Sequence, residues 1–237
     1  MNTTKKTARL AGLLYFILAL TAIYGSMYVP NQIMVRGDTA ATMNNILSHE
    51  FLYRTGIFSN LISITLFVFL VYTLYRLLKH SNENQAKLMT GLVLVGIPVA
   101  FLFGVFKIVA LNIIKGNLLQ SFQPEQLNDL AMVFIKTGSY GSQIITLYWG
   151  LWLIPLGLLV YKSGFIPRLL GILLVINGIG YVINCCTALL FPDYLAIVYK
   201  YIFVTYFIGE IPLILWLLIV GVKSGNKLKI TKVQPEA

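Results

Sequence analysis

Apolar residues in this chain come in long unbroken blocks, not at alternating or four-residue intervals. Charge-free runs cover Leu10–Val35, Thr55–Tyr75, Leu88–Phe106, Thr137–Tyr161 and Leu169–Pro192, and a sixth run, Tyr201–Val222, is interrupted by Glu210 alone. A helix rising about 1.5 Å per residue crosses hydrocarbon in roughly 20 residues, so each run predicts one transmembrane helix. The spans fall near 10–29, 55–75, 88–112, 137–161, 169–190 and 201–222. The first run follows the basic segment Met1–Arg9 but extends well past the roughly 7–15 apolar residues of a cleaved signal, so it is expected to be retained as a span. The connections are short. The expected fold class is therefore all-α, a polytopic six-helix transmembrane bundle forming a single membrane domain over residues 1–237.

Between the blocks the pattern changes. After Arg36-Gly37-Asp38, a turn in which Asp38 suits a helix N-cap, Ala40, Met43 and Leu47 recur at helical spacing. After Pro124, a good first helical residue, Leu127, Leu130 and Phe134 do the same. Both segments predict short amphipathic helices in outer loops, the second ended by Gly138 and Gly141 before the fourth span. Within the spans, small and polar residues share faces: Ala19, Ala22 and Ser26; Gly56, Asn60 and Ser63; Gly96, Ala100 and Gly104; Asn177, Gly180, Asn184 and Thr187. Such stripes face other helices, because small residues admit close backbone approach and asparagines in hydrocarbon need partners. Gly150, Pro155 and Gly157 are expected to let the fourth span bend, and Pro98 to kink the third.

Composition sharpens this reading without changing it. Of 237 residues 58% are hydrophobic and 11% charged, against about 25% charged in soluble domains. The formal charge of +10 could suggest nucleic acid, but its distribution assigns it to topology. Lys5, Lys6, Arg9, Arg76, Lys79, Lys87, Lys162, Arg168, Lys223, Lys227, Lys229 and Lys232 fall on one side of the spans. Only Arg36, Arg54, Lys115, Lys136 and Lys200 fall on the other. The positive-inside rule then puts both termini in the cytoplasm, with the lipid bilayer as partner and no nucleic acid. Cys185 and Cys186 are helix neighbours pointing about 100° apart, unsuited to a mutual disulfide and read as small apolar packing residues, and His49 and His80 lie on opposite sides, so the histidines cannot share a metal site.

Candidate chemistry reduces to two ionisable residues inside apolar runs, Glu210 and Lys107. A carboxylate at that depth needs a partner or a proton. Pro212 follows it closely and frees the carbonyl of Ile208, and broken backbone beside an acid occurs at transporter sites and in inert membrane helices alike. Lys107 shares a face with Gly104. It either points into the bundle or snorkels to the outer interface. Counted from span ends, Glu210 lies about 14 Å deep and Lys107 about 7 Å, so a direct pair is geometrically allowed. Asn60, Asn177 and Asn184 complete the candidate substrate- or proton-binding set, with structural glue as the alternative for the asparagines.

The spans hold no Asp and no His, and the chain has no Gly-x-Ser-x-Gly elbow, His-Glu-x-x-His pair or phosphate-binding glycine loop. No cofactor is expected. The leading reading is an integral membrane protein without catalytic chemistry that binds or moves a small hydrophobic or weakly ionic molecule through a helix-lined polar pocket. A lipid-directed enzyme using Glu210 and an accessory or stress-response subunit are the alternatives.

Several segments together carry a resemblance: Lys6-Thr7-Ala8-Arg9-Leu10-Ala11-Gly12-Leu13-Leu14-Tyr15; Arg36-Gly37-Asp38 with the helix after it and Glu50…Arg54; Ser163-Gly164-Phe165-Ile166-Pro167-Arg168-Leu169-Leu170-Gly171; and Phe207-Ile208-Gly209-Glu210. In order and spacing the chain, from about Lys5 to Val222, resembles the bacterial membrane family catalogued as domain of unknown function 4386. The resemblance implies one multi-span domain in a bacterial cytoplasmic membrane, places Arg168 and Glu210 on family-like motifs, and supplies no activity.

Overall fold

The computed structural model describes residues 3–222, so the basic tail expected from Lys223 lies outside the described residues. The long apolar runs fold as helices because a helix satisfies every backbone polar group within its own segment, which hydrocarbon demands. In order they are α1 (Thr3–Ile23), a π-helical turn (Tyr24–Tyr28), α2 (Val29–Ile33), α3 (Thr39–Ser48), α4 (Glu50–Leu78), α5 (Glu83–Ile114), α6 (Pro124–Ser163), α7 (Arg168–Leu190), a 3-10 turn (Pro192–Tyr194), α8 (Leu195–Leu215) and a closing π-helical turn (Trp216–Val220). Six of the resulting helical paths are long and apolar enough to cross a membrane, so the protein is a multi-pass membrane protein. Leu20, Phe58, Phe69, Ile176 and Ile219 are exposed around the bundle, as lipid-facing side chains must be.

The crossing helices form a ring. α1 packs on α4, α4 on α5, α5 on α6, α6 on α7 and α7 on α8, and α8 returns to α1. Leu74, Met89, Trp152, Leu153, Leu156 and Leu213 fill its interior. A second cluster around Ile33, Met43, Ile46, Leu111 and Ile135 seats α3 against the end of the bundle that carries the longer connections, called here the loop end. The opposite, basic end carries Arg9, Arg76, Lys79, Lys162 and Arg168.

Local expectations are met at several points. Asp38 caps α3, its side chain accepting from the Ala41 amide at 2.8 Å. Pro124 opens α6 behind a reciprocal Gln123–Gln126 capping box. Asn60 accepts from Ser26 at 2.9 Å and joins the first crossing to α4. At the loop end Glu50 bonds Arg54 at 2.7 Å and Lys115 at 2.9 Å, tying the start of α4 to the end of α5.

Three expectations change. The second amphipathic segment is not a separate helix: α6 runs unbroken from Pro124 to Ser163, through Gly138 and Gly141. The hydrogen-bond ladder has no reason to stop there. A Cβ at Gly141 would fall 2.4 Å from the Phe103 ring, so that glycine makes room for a neighbour and does not end a helix. Gly150 and Gly157 likewise serve packing. A Cβ at Gly150 would lie 2.6 Å from the Gly178 carbonyl oxygen, and one at Gly157 would lie 2.6 Å from that of Gly171. Each relation is reciprocal, so α6 and α7 touch backbone to backbone at two levels, seven residues apart on both helices. The Gly96–Gly104 ridge of α5 meets side chains instead, Trp149 and Leu61, at ordinary or slightly tight distances. Finally, α8 begins at Leu195, ahead of Tyr201, with the lysine at position 200 exposed on its early turns.

A carboxylate held between three helices

The earlier start of α8 places Glu210 about 22 Å from the loop-end start of its helix and about 15 Å from the end of the closing π-turn, deep within the bundle. Two glycines bring α8 onto α7. A Cβ at Gly209 would lie 2.5 Å from the Asn177 Cβ, and one at Gly180 would lie 2.8 Å from Thr205 Oγ1. On the other side Gly12 admits the closing π-turn, since a Cβ there would be 2.5 Å from the Leu218 amide nitrogen. That turn is closed by the Gly221 amide bonding the Trp216 carbonyl at 2.8 Å, and Arg9 donates to the Ile219 carbonyl at 3.0 Å. The three helices α1, α7 and α8 are therefore drawn together around one acid.

Glu210 receives donors from two of them. The Tyr15 hydroxyl of α1 donates to Oε2. From α7, Asn177 Nδ2 donates to Oε1 at 3.1 Å, and the Tyr181 hydroxyl reaches the same oxygen at 3.5 Å. Thr205 Oγ1 stands 3.5 Å from Asn177 Oδ1, although its shorter bond, 2.7 Å, is to the Ile202 carbonyl. Asn177 is wholly buried and Tyr15 is 2% exposed; Glu210 itself is partly buried. Aromatic packing fixes both phenols. Tyr15 leans on Trp152, which meets Phe67 edge-on at 4.9 Å, and Tyr181 stacks on Tyr206 at 4.1 Å.

Among the described residues every group bonded to the carboxylate is neutral. Among the described residues no lysine, arginine or histidine makes an ion pair with Glu210. Asn177 can only donate through its amide nitrogen, whereas a phenol oxygen both donates and accepts. Tyr15 can thus donate to an ionised Glu210 or accept from a protonated one, so the same cage can hold either state.

The sequence-derived candidates separate here. Glu210 and Asn177 meet directly. Asn184 lies two turns further along the same face of α7, buried, at 7% exposure. Asn60 belongs to the seam between the first crossing and α4, where it bonds Ser26. Lys107 is elsewhere again. α5 and α8 do not pack together, the Lys107 carbonyl accepts from Tyr53 at 3.3 Å, and among the described residues its ammonium makes no ion pair. The allowed Lys107–Glu210 pair does not form, because the ring places α5 across the bundle from α8, and the longer α8 removes the match in depth.

Tyr15, Tyr181 and Thr205 were not singled out from the sequence. Tyr181 stands four residues after Asn177, so helical spacing could have found it. Tyr15 ends the first motif that carries the family resemblance, but no local signal says that α1 returns to α8.

Toward the basic end, an open apolar groove of about 430 Å³ runs between the start of α7 and the end of α8. Pro167, Leu170, Pro212, Trp216 and Ile219 line it, whereas Glu210 and its donors Tyr15, Asn177 and Tyr181 do not.

The family model described as "Domain of unknown function (DUF4386)" matches residues 10–221. A protein of Archaeoglobus fulgidus described as "Uncharacterized protein" is 38% identical over 80 residues, which are 34% of this chain and 46% of that protein. The match thus spans less than half of the relative's length. No solved structure matches.

Proposed function

Because the chain belongs to the DUF4386 family, whose description assigns no activity, we propose a function from the Glu210 cluster: the protein binds, and carries across the membrane, a small hydrophobic, weakly ionic molecule whose polar end engages Glu210. The observation that carries this reading is the neutral cage. A buried carboxylate kept for structure alone is expected to be neutralised by a cation. Here three neutral donors leave its charge free to be answered by a proton or by a cationic group on a ligand. In this reading the hydrophobic part lies in the apolar groove between α7 and α8, which reaches Pro212, just over half a helical turn from Glu210. Pro212 and the π-turn after it supply the irregular backbone common beside such sites.

The test is uptake of a fluorescent lipophilic amine by vesicles carrying the purified protein, with a pH step across the membrane. Uptake is expected to follow the pH step in the wild type and to fall at least tenfold in Glu210→Gln. Equal uptake by the two proteins would overturn the reading. The same groove favours a second reading, a lipid-directed enzyme with an acyl chain in the groove and Glu210 as acid or base. That reading expects an altered lipid profile when the protein is removed, and no vesicle flux.

The excess of lysine and arginine at the basic end supports a cytoplasmic-membrane orientation in a bacterium with both termini inside. A reporter fused after Ala237 is expected to read the cytoplasm, and one that reads the outer face would reverse the assignment.

A further inference from the structure

Asn184 is the least satisfied polar side chain of the α7–α8 seam. It is 7% exposed, and its Oδ1 is buried without a hydrogen-bond partner among the described residues. A buried amide oxygen left unpaired costs about 1–3 kcal/mol, and lipid tails offer nothing to pair it. Its neighbours on α7 face elsewhere: Ile183 is 47% exposed on the outer surface, and Cys185 turns to the Ile144 carbonyl of α6 at 3.7 Å. Asn184 shares its face with Asn177, Gly180 and Thr187, and Gly180 and Asn177 contact α8 at Thr205 and Gly209.

We propose that the α7–α8 seam is a water-lined passage along which protons reach Glu210 from the loop end, with Asn184 holding water at its midpoint. This rests on the reading of Glu210 as a proton- or cation-binding acid. Polar groups step along the seam at roughly one per turn: Thr187, Asn184, then Thr205 beside Gly180, then Asn177, whose amide holds Glu210 at 3.1 Å. From Thr187 to Asn177 the path is about 15 Å along the helix. Its mouth is the exposed turn Pro192–Tyr194, which carries Asp193. The titratable groups facing the path and its end are Tyr181 on α7, Tyr199 and Tyr206 on α8, and Tyr15 on α1. Asp193 and, on the early turns of α8, Lys200 lie near the mouth. Each delivery moves one proton from hydronium to the Glu210 carboxylate, leaving water and the neutral acid. Beside Gly180 the seam is tight, a Cβ there falling 2.8 Å from Thr205 Oγ1, so at that level the Thr205 hydroxyl itself is the link between Asn184 and Asn177.

The test uses the full chain in vesicles with Cys185→Ser and Cys186→Ser. Single cysteines are then placed at Asn184, Thr187 and Ile183. The probe is the membrane-impermeant trimethylammonium-ethyl methanethiosulfonate, which reacts with thiolates in contact with water. Added on the side of the Pro192–Tyr194 turn, it is expected to modify Thr187→Cys and Asn184→Cys at least tenfold faster than the lipid-facing Ile183→Cys. Modification of Asn184→Cys no faster than Ile183→Cys, or only from the basic end, would overturn the passage. Should Asn184→Cys not fold, the deciding measurement is deuterium exchange of the Glu210 carboxyl stretch in the infrared. That exchange is expected to slow at least tenfold in Asn184→Val, and an unchanged rate rejects the proposal. A dry seam with amine uptake intact removes the passage alone. A labelled seam with Glu210→Gln still transporting removes the functional reading and leaves the passage.

Discussion

Gly150→Val is expected to destabilise the protein by about 3 kcal/mol, at the upper end of ordinary overpacking, and to loosen the Glu210 cage with it. At Gly150 even a Cβ would stand 2.6 Å from the Gly178 carbonyl oxygen and 2.8 Å from the Tyr181 Cβ, and valine adds two methyls to that conflict. The first neighbour is backbone, which cannot rotate aside, so α7 as a whole must retreat from α6. The second belongs to a phenol that reaches Glu210, and Asn177 immediately precedes Gly178. The displacement therefore passes straight into the site. Gly91→Ala is the control. Among the described residues nothing lies within 4 Å of a Cβ there, and alanine is the better helix former by about 1 kcal/mol, so that variant is expected to be neutral or slightly stabilised. Thermal unfolding in detergent, or resistance to proteolysis, checks both. A Gly150→Val protein as stable as the wild type would mean that α6 and α7 do not touch through their backbones.

Glu210 variants are expected to divide by chemistry rather than by size. Glu210→Leu removes the acceptor of Tyr15, Asn177 and Tyr181 at once. Each buried donor left unpaired costs about 1–3 kcal/mol, and Asn177 is wholly buried. A total loss of about 3 kcal/mol or more follows, seen as low folded yield. Glu210→Gln keeps the cage. Its carbonyl can accept from Asn177 and Tyr181 while its amide donates to the Tyr15 hydroxyl oxygen, so stability is expected to stay within about 1 kcal/mol of the wild type. What the amide lacks is a proton to take up or release. A folded Glu210→Gln protein without pH-driven uptake separates function from architecture. If leucine were tolerated as well as glutamine, the three hydrogen bonds would have no energetic weight.

How much of this site was readable in advance depends on the distance over which each residue acts. The Asp38 cap, Pro124 at the head of α6 and the apolar crossing helices are decided by neighbours within a few residues, and each was evident from the chain. The inward face of Asn177, Gly180 and Asn184 was equally visible, because helical spacing alone lines them up. Gly150 and Gly157 were visible too, but read as places to bend. A glycine that makes room for a distant backbone looks the same in sequence as one that relaxes its own, and only the reciprocal glycines of α7 distinguish the two.

The sequence by itself determined that this is a helical, multi-pass membrane protein of six crossings, and that Glu210 is the acid that must be accommodated. Both follow from the cost of placing polar groups in hydrocarbon, which is paid residue by residue along the chain. Only the tertiary structure decided who accommodates it. The closing of the ring sets α1 against α8 and so brings Tyr15, far away in sequence, onto the carboxylate, while α5 and Lys107 are left on the opposite side. Which helices become neighbours is settled by how small residues let backbones approach across the whole bundle, and no single span contains that information.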